Sequence, residues 1–322
     1  MDQRKHYKRS TVAARKALEM AEQALGPDHP NVAMARNNLA VLYYAEGKYA
    51  EAEALLEKAL LFWEQTHGTY DLDLAASLNN LAEIRHARGE LAPATALLKR
   101  ALTICEKALG PLHPDLATSL HNLASLYHDQ AQYVPAEQLL RRALKISENT
   151  SGSNHPDVAT CLNNLAEIHR AQGQHEMAAA LLARALAIDE QILGPDHPDV
   201  ATNLNNLALL HLAQKQYTQA EPLLQRALAV SKRALGPVHP DIATSLHNLA
   251  TLYRGKAQYG QAEQLYKRAL RINEKSLGLN HRVVAVSLTS LATLYRDIHQ
   301  PNEAEPLEKR AATILAMIDR AR

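Results

Sequence analysis

The tetrapeptide Asn37-Asn38-Leu39-Ala40 returns along the chain at a fixed interval. It recurs as Asn79-Asn80-Leu81-Ala82, His121-Asn122-Leu123-Ala124 and Asn163-Asn164-Leu165-Ala166. Asn205-Asn206-Leu207-Ala208 and His247-Asn248-Leu249-Ala250 follow, with a decayed copy at Thr289-Ser290-Leu291-Ala292. Each step is 42 residues, and glycines keep the same beat at 26, 68, 110, 152, 194, 236 and 278. Seven in-register copies without an insertion do not arise from composition bias. A period of this length marks stacked repeats, each unable to bury its own apolar face.

Composition then narrows the class. A chain of 322 residues would ordinarily make roughly two domains of ~150 residues. Two such cores usually lean on Phe and Trp, yet this chain has 12 Tyr, one Trp and one Phe. Its apolar volume comes from Ala, Leu, Val and Ile. The 35 Lys and Arg against 34 Asp and Glu give a net charge of +1, without the basic excess of a nucleic-acid binder. Cys105 and Cys161 are too few for a disulfide framework or a four-ligand zinc site. The start, Met1 to His6, is charged and lacks the apolar stretch of a signal peptide. No run approaches the ~18 apolar residues of a membrane span, so no membrane partner is expected and the cytoplasm is the default location.

Within a unit, two helical patterns alternate with two breaks. In the fifth, Gly194-Pro195-Asp196-His197-Pro198 is a breaker cluster, because the residue before a proline is pushed out of the helical region. Pro198 reads as the first helical position, and Asp199 suits the first turn. Helix A is predicted to run to about Gln214, with Val200, Leu204, Leu207, Ala208 and His211 inward. A Lys215-Gln216 turn leads to helix B, predicted from about Tyr217 to Leu235, with Ala220, Leu224, Ala227, Leu228 and Val230 inward. Gly236 is expected to end it as a left-handed cap. Other units place Gly47, Gly89 and Gly173 in the A–B turn. Counting backward, residues 7–26 match a helix B without its helix A. The expected organisation is one solenoid over 1–322: that half-repeat, then full repeats at 27–68, 69–110, 111–152, 153–194, 195–236, 237–278 and 279–320. Buried Ala positions let neighbouring backbones approach. Tyr43, Tyr127, Tyr253 and Tyr295 in helix A, and Tyr7, Tyr49, Tyr133, Tyr217 and Tyr259 opening helix B, read as interhelix packing with hydroxyls at the surface.

The run Asn-Leu-Ala-x-x-Tyr-x-x-x-Gly-x-Tyr-x-x-Ala-Glu followed by Arg-Ala-Leu, legible from Asn38 to Leu60 with Lys58 for the Arg and again from Asn248 to Leu270 with Ala257 for the Gly, resembles a tetratricopeptide repeat. The 42-residue period and the Leu-Gly-Pro-x-His-Pro linker make it similar to the kinesin-light-chain type of bacterial array. The resemblance covers essentially the whole chain. It implies an all-α, right-handed α-solenoid of stacked antiparallel helix pairs, the tetratricopeptide superhelix. It does not identify a partner, since one fold serves many. No heptad region is present, so motor association is not implied.

Chemistry has few places to sit. The linker histidines at 29, 113, 155, 197, 239 and 281 come one per repeat, whereas a zinc ion needs its ligands within about 2 Å. Each is expected to hydrogen-bond or pack at the start of helix A. No phosphate loop, His-Glu-x-x-His or nucleophile grouping breaks the repeat, so neither catalysis nor a cofactor is expected.

The informative polar residue is the second Asn: Asn38, Asn80, Asn122, Asn164, Asn206 and Asn248. Asn is a mediocre mid-helix residue, and six copies suggest a task. The resemblance implies that helix A lines the concave wall and that this amide holds a bound peptide's backbone. An amide both donates and accepts. The alternative is that it bonds a neighbouring helix and stiffens the stack. Its neighbour, Asn163 or Asn205, replaced by His121 and His247, is a further candidate for that wall, as are Asn37 and Asn79.

Selectivity must come from positions that vary. One turn on stand Val41, Glu83, Ser125, Glu167, Leu209, Thr251 and Thr293. Beyond them stand Tyr44, His86, His128, Arg170, Leu212, Arg254 and Arg296. Arg170 and Arg254 favour an acidic ligand, which Glu83 and Glu167 weaken. Unit two is the most individual, with Thr69-Tyr70-Asp71-Leu72 in place of the His-Pro linker. Phe62 is in phase with Ile104, Ile146 and Ile188 and is predicted to be core. Trp63 aligns with Cys105, Ser147, Asp189 and Ser231 and is predicted to be partly exposed, an anchor for a partner. Ile314, Leu315, Met317 and Ile318 leave an uncapped apolar end, which implies a longer parent chain or end-to-end self-association. The expected function is a non-enzymatic scaffold binding a protein or peptide ligand, extended segment or partner helix, in the concave groove. The alternatives are a sensor module of a larger signalling protein and, disfavoured by charge, an RNA binder.

Overall fold

A computed structural model describes residues 3–66 and 71–320. Gly68 and the Thr69-Tyr70 part of the altered linker lie outside the described residues, as does the Tyr7 side chain. The described residues form fifteen α-helices and no strand, an all-α solenoid of stacked antiparallel pairs. Two compact units divide them. The first, Met1–Ser153, holds α1 (Gln3–Leu25), α2 (Pro30–Ala45), α3 (Tyr49–Thr66), α4 (Leu72–Ala87), α5 (Leu91–Leu109), α6 (Leu116–Asp129) and α7 (Tyr133–Ser151). The second, Asn154–Arg322, holds α8 (Pro156–Ala171), α9 (His175–Ile192), α10 (Pro198–Ala213) and α11 (Tyr217–Leu235). It continues with α12 (Pro240–Gly255), α13 (Tyr259–Leu277), α14 (Arg282–Asp297) and α15 (Pro301–Arg320). Even-numbered helices are the A type; α1 is the half-repeat's B helix.

Alanine sets the packing. Every B helix from α3 to α15 buries Ala at the same phase, from Ala52 and Ala94 to Ala262 and Ala304, each with no exposed surface. Seven residues later a second alanine, from Ala59 to Ala311, is buried too. Seven residues are nearly two helical turns, so both lie on one side of the helix. With no side chain beyond Cβ, they bring the A helices close. Leu56, Leu98, Leu140, Leu182 and Leu224 fill the turn between them, and Tyr266 takes that place in α13.

The two kinds of turn differ in what they demand. At the A–B turns, Gly47, Gly89 and Gly173 have φ of 76–78°, but Ala131, Lys215, Ala257 and His299 adopt φ of 55–58°. That value lies in the left-handed helical well, which a Cβ tolerates at modest cost. At the B–A linker, Gly236 has φ 78° and ψ 169°, and Gly110 has φ 90° and ψ 160°. The expected left-handed cap is therefore not what forms, because the chain leaves helix B straight into an extended linker. Pro237 favours that ψ in the residue before it. Gly152 and Gly278 do the same before Ser153 and Leu279, so the linker path imposes it. Positive φ with extended ψ is open essentially to glycine alone.

The linker histidine begins helix A. His29, His155, His197, His239 and His281 are N-caps whose Nδ1 accepts the backbone N–H two residues on, at 3.2–3.3 Å. Asp71 performs this task for α4, accepting from the Asp73 N–H at 2.7 Å. His113 accepts from Asp115 at 3.3 Å, and α6 starts two residues later than its counterparts.

Candidate functional site

Within each unit the A helices present a stripe to solvent. In α2 it is Met34, Asn38, Val41 and Ala45, spaced four, three and four residues apart, one face of a helix. Glu83, Ser125 and Leu209 continue it at the Val41 phase. Asn38 lies on this stripe; Asn80, Asn122, Asn164 and Asn206 are half-buried at its edge; Asn248 is buried.

Hydrogen bonds divide the amides. Asn80 Nδ2 donates to Asn37 Oδ1 at 3.0 Å, and Asn79 Nδ2 to Ser119 Oγ at 3.4 Å. In the second unit Asn163 Nδ2 donates to Asn203 Oδ1 at 2.6 Å. Asn205 Nδ2 donates to Ser245 Oγ at 3.0 Å, and Asn248 Nδ2 to Asn205 Oδ1 at 3.3 Å. These bonds join successive A helices. Among the described residues the amides of Asn38, Asn122, Asn164 and Asn206 have no side-chain partner. His121 is half-buried. His247 packs edge-on against Tyr266 with ring centroids 5.2 Å apart, and burial pushes its pKa down.

The basic residues of the face are already engaged. Arg170 Nε donates to Glu167 Oε2 on the same helix at 2.8 Å, and Arg254 Nε to Asp297 Oδ2 of α14 at 2.6 Å. Arg296 holds Glu308 of α15 through two bonds, at 3.0 and 2.7 Å. An acidic ligand would have to displace these carboxylates.

Several sequence expectations need correction. Trp63 is 2% exposed, buried against Phe62 with ring centroids 5.0 Å apart, so it offers no anchor to a partner. Its phase is a buried position from α3 to α13: Cys105, Ser147, Asp189, Ser231 and Asn273 are also inside. At two of these positions helix A of the next repeat supplies a partner fourteen residues later, whereas among the described residues the buried Ser231 hydroxyl has none. Asn203 Nδ2 donates to Asp189 Oδ2 at 2.7 Å, and Asn273 Nδ2 to Ser287 Oγ at 3.0 Å. Burial pushes the Asp189 carboxyl above its usual 3.8, which Asn203 partly counters. The tyrosine hydroxyls are likewise not simply at the surface. Tyr253 and Tyr295 donate to Glu221 and Glu263 of the preceding B helix, at 3.0 and 2.8 Å. Of the apolar residues late in α15, Ile314 is buried, while Leu315 and Met317 are exposed.

Between A helices the stripe deepens into clefts. One, about 610 Å³ with its open solvent, lies between α4 and α6 and is lined by Tyr44, Glu83, His86, Asn122 and Ser125. A smaller one between α2 and α4, about 190 Å³, is lined by Val41, Tyr44, Asn80 and Glu83. In the second unit Asn163, Glu167, Arg170, Asn206 and Leu209 line about 250 Å³ between α8 and α10. Among the described residues no group of three His, Cys, Asp or Glu is placed to hold a metal ion.

Overlapping matches to the tetratricopeptide repeat cover residues 7–65, 31–107, 73–149, 136–191, 157–229, 199–275 and 257–316. The chain belongs to the tetratricopeptide repeat family. Solved structures place this array near the kinesin light chains. The nearly identical repeats of a protein designated a kinesin light chain from Podosopora anserina are 30% identical, over 65% of this chain and 99% of that one, with a TM-score of 0.52. BtubC (BKLC) from P. vanneervenii is 25% identical, over 84% of this chain and 92% of that one, with a TM-score of 0.54. A Rap protein complexed with Competence and Sporulation Factor covers 100% of this chain and 89% of its own, with a TM-score of 0.64. At 13% identity it shows the fold alone. Among curated proteins none matches this sequence. Tetratricopeptide arrays are protein–protein interaction scaffolds, in general without catalysis. Among the described residues no helix is long and apolar enough to cross a membrane.

Proposed function

We propose that the open stripe of the A helices binds an extended peptide segment of a partner protein. In the first unit Asn38 and Asn122 meet its backbone and in the second Asn164 and Asn206 do so, while the bonded amides of Asn80, Asn163, Asn205 and Asn248 hold the A helices of their own unit in register. The observation that carries this reading is the division itself. Four amides at or beside the open stripe have no side-chain partner, and Asn122 and Asn206 line its clefts. An amide can answer both the N–H and the C=O of a peptide unit of any sequence. Helices roughly 10 Å apart would set one such contact about every third residue of an extended ligand at ~3.3 Å per residue.

The test is Asn164→Ala combined with Asn206→Ala, read by peptide-display affinity and melting temperature. Weaker binding with unchanged melting supports the reading, at ~1–3 kcal/mol per buried bond lost. A large melting drop with intact binding overturns it. A single small molecule held in the α4–α6 cleft, with no peptide selected, replaces it by the sensor reading.

A further inference from the structure

Glu83 is the exception among the charged residues named on the A-helix face, where Arg170, Arg254, Arg296 and His86 each meet a carboxylate. It projects from α4 between the two clefts of the first unit and lines both. Among the described residues its carboxylate has neither a hydrogen bond nor an ion pair. The adjacent groups cannot easily supply one. His86 Nε2 is held by Asp129 Oδ2 at 2.5 Å, and His128 Nδ1 lies 3.3 Å from the other oxygen of Asp129. Tyr44, Asn122 and Ser125, which share the cleft, carry no positive charge. Although the side chain is open to solvent, its carboxyl sits deep enough that desolvation raises its pKa, with His86 pulling the other way. A partly desolvated, unpaired carboxylate is costly to the free protein, and a cation entering the cleft would relieve that cost. Apolar walls from Leu98 and Leu126 suit the methylene stem of a long basic side chain.

We infer that the α4–α6 cleft is a subsite for one arginine or lysine side chain of the bound peptide, with Glu83 as its specificity-determining partner. This rests on the peptide-binding reading above and adds what that reading lacks, a preference at one position. Tyr44 and Asn122 flank the incoming head group, and Glu83 accepts its hydrogen bonds.

The experiment is selection from a random heptapeptide display library with the full chain and with Glu83→Gln. The best peptide is then resynthesised with citrulline, a neutral isostere, in place of arginine. The wild type is expected to enrich peptides with a basic residue at one register, a preference Glu83→Gln loses. Citrulline should weaken binding to the wild type about tenfold and to Glu83→Gln hardly at all. Peptides enriched without a basic position overturn this inference and leave the groove reading standing. No peptide enriched by either protein overturns both. Should Glu83→Gln lower the melting temperature, the citrulline comparison on the wild type alone still decides: equal affinity for both peptides overturns the subsite.

Discussion

Helices α4 and α8 carry the same seven residues, Leu-Asn-Asn-Leu-Ala-Glu-Ile, at 78–84 and 162–168, and then diverge by a transposition. Arg85-His86 follows in one, His169-Arg170 in the other. In α4 the arginine points back to α3, where Arg85 pairs with Glu53 and also holds Glu90 at 2.6 Å. That leaves Glu83 without a cation. In α8 the arginine stands three residues after Glu167, on the same face, and binds it. His169 is buried and meets Gln174 Oε1 at 2.5 Å. A shared repeat motif thus fixes the helix and its core side, while the order of the next two residues decides whether the motif's acid faces a ligand or its own helix.

The two regions also differ beneath the face, and the largest expected effect lies there. Asn163 of α8 leads through Asn203 to the buried carboxylate of Asp189; Asn79 of α4 leads through the Ser119 hydroxyl to the Cys105 thiol. Asn203→Ala strands a buried acidic acceptor and should cost ~2–3 kcal/mol, whereas Ser119→Ala should cost ~0.5–1 kcal/mol. Urea unfolding of both variants checks the ratio, and equal losses would erase this distinction. Next in size, His86→Arg gives α4 the tethering arrangement of α8. Affinity for arginine-bearing peptides should fall about five- to tenfold, ~1–1.4 kcal/mol, with melting unchanged. Titration by fluorescence anisotropy reads it.

A smaller contrast concerns the caps. Asp71 accepts from its cap N–H at 2.7 Å, His155 at 3.3 Å. Asp71→Ala should cost ~1 kcal/mol and His155→Ala nearer ~0.5 kcal/mol, while Asp71→His should recover part of the first loss in the same melts. Smallest is a pH effect. A carboxyl whose native pKa stands above its unfolded value binds its proton more tightly when folded. Asp189 therefore contributes stability that is lost as pH rises from about 3.8 through the native value. Asp189→Asn should melt ~1–2 °C higher than wild type at pH 7, with the gap closing below pH 4. A gap that grows in acid would reverse the assigned sign.

The repeat made the fold readable. Proline, glycine and the Leu-Ala phase mark helix ends so sharply that α11 spans the predicted Tyr217 to Leu235. The buried polar pairs were not readable one helix at a time. A phase holding Trp63, Cys105 and Asp189 looks like a surface position unless it is paired with Ser77, Ser119 and Asn203, fourteen residues on. That pairing crosses the linker and belongs to packing. Asn posed a similar ambiguity, because an amide that can hold a peptide can equally hold a helix, and only neighbouring partners distinguish Asn205 from Asn206. Glu83 was visible as a variable residue. Its lack of a partner was not, since that depends on where Arg85 and His86 turn.

The glycine between helix B and the next helix A has one further consequence. Because its backbone geometry is closed to every other residue, point mutation cannot gradually retune that joint. An A–B turn accepts alanine, lysine or histidine, but the joint accepts one residue and one path. Such an array changes length most easily by copying or dropping whole 42-residue cassettes. Its evolutionary unit is therefore the cassette, and its vocabulary is written in the few positions on the open stripe that each copy leaves free.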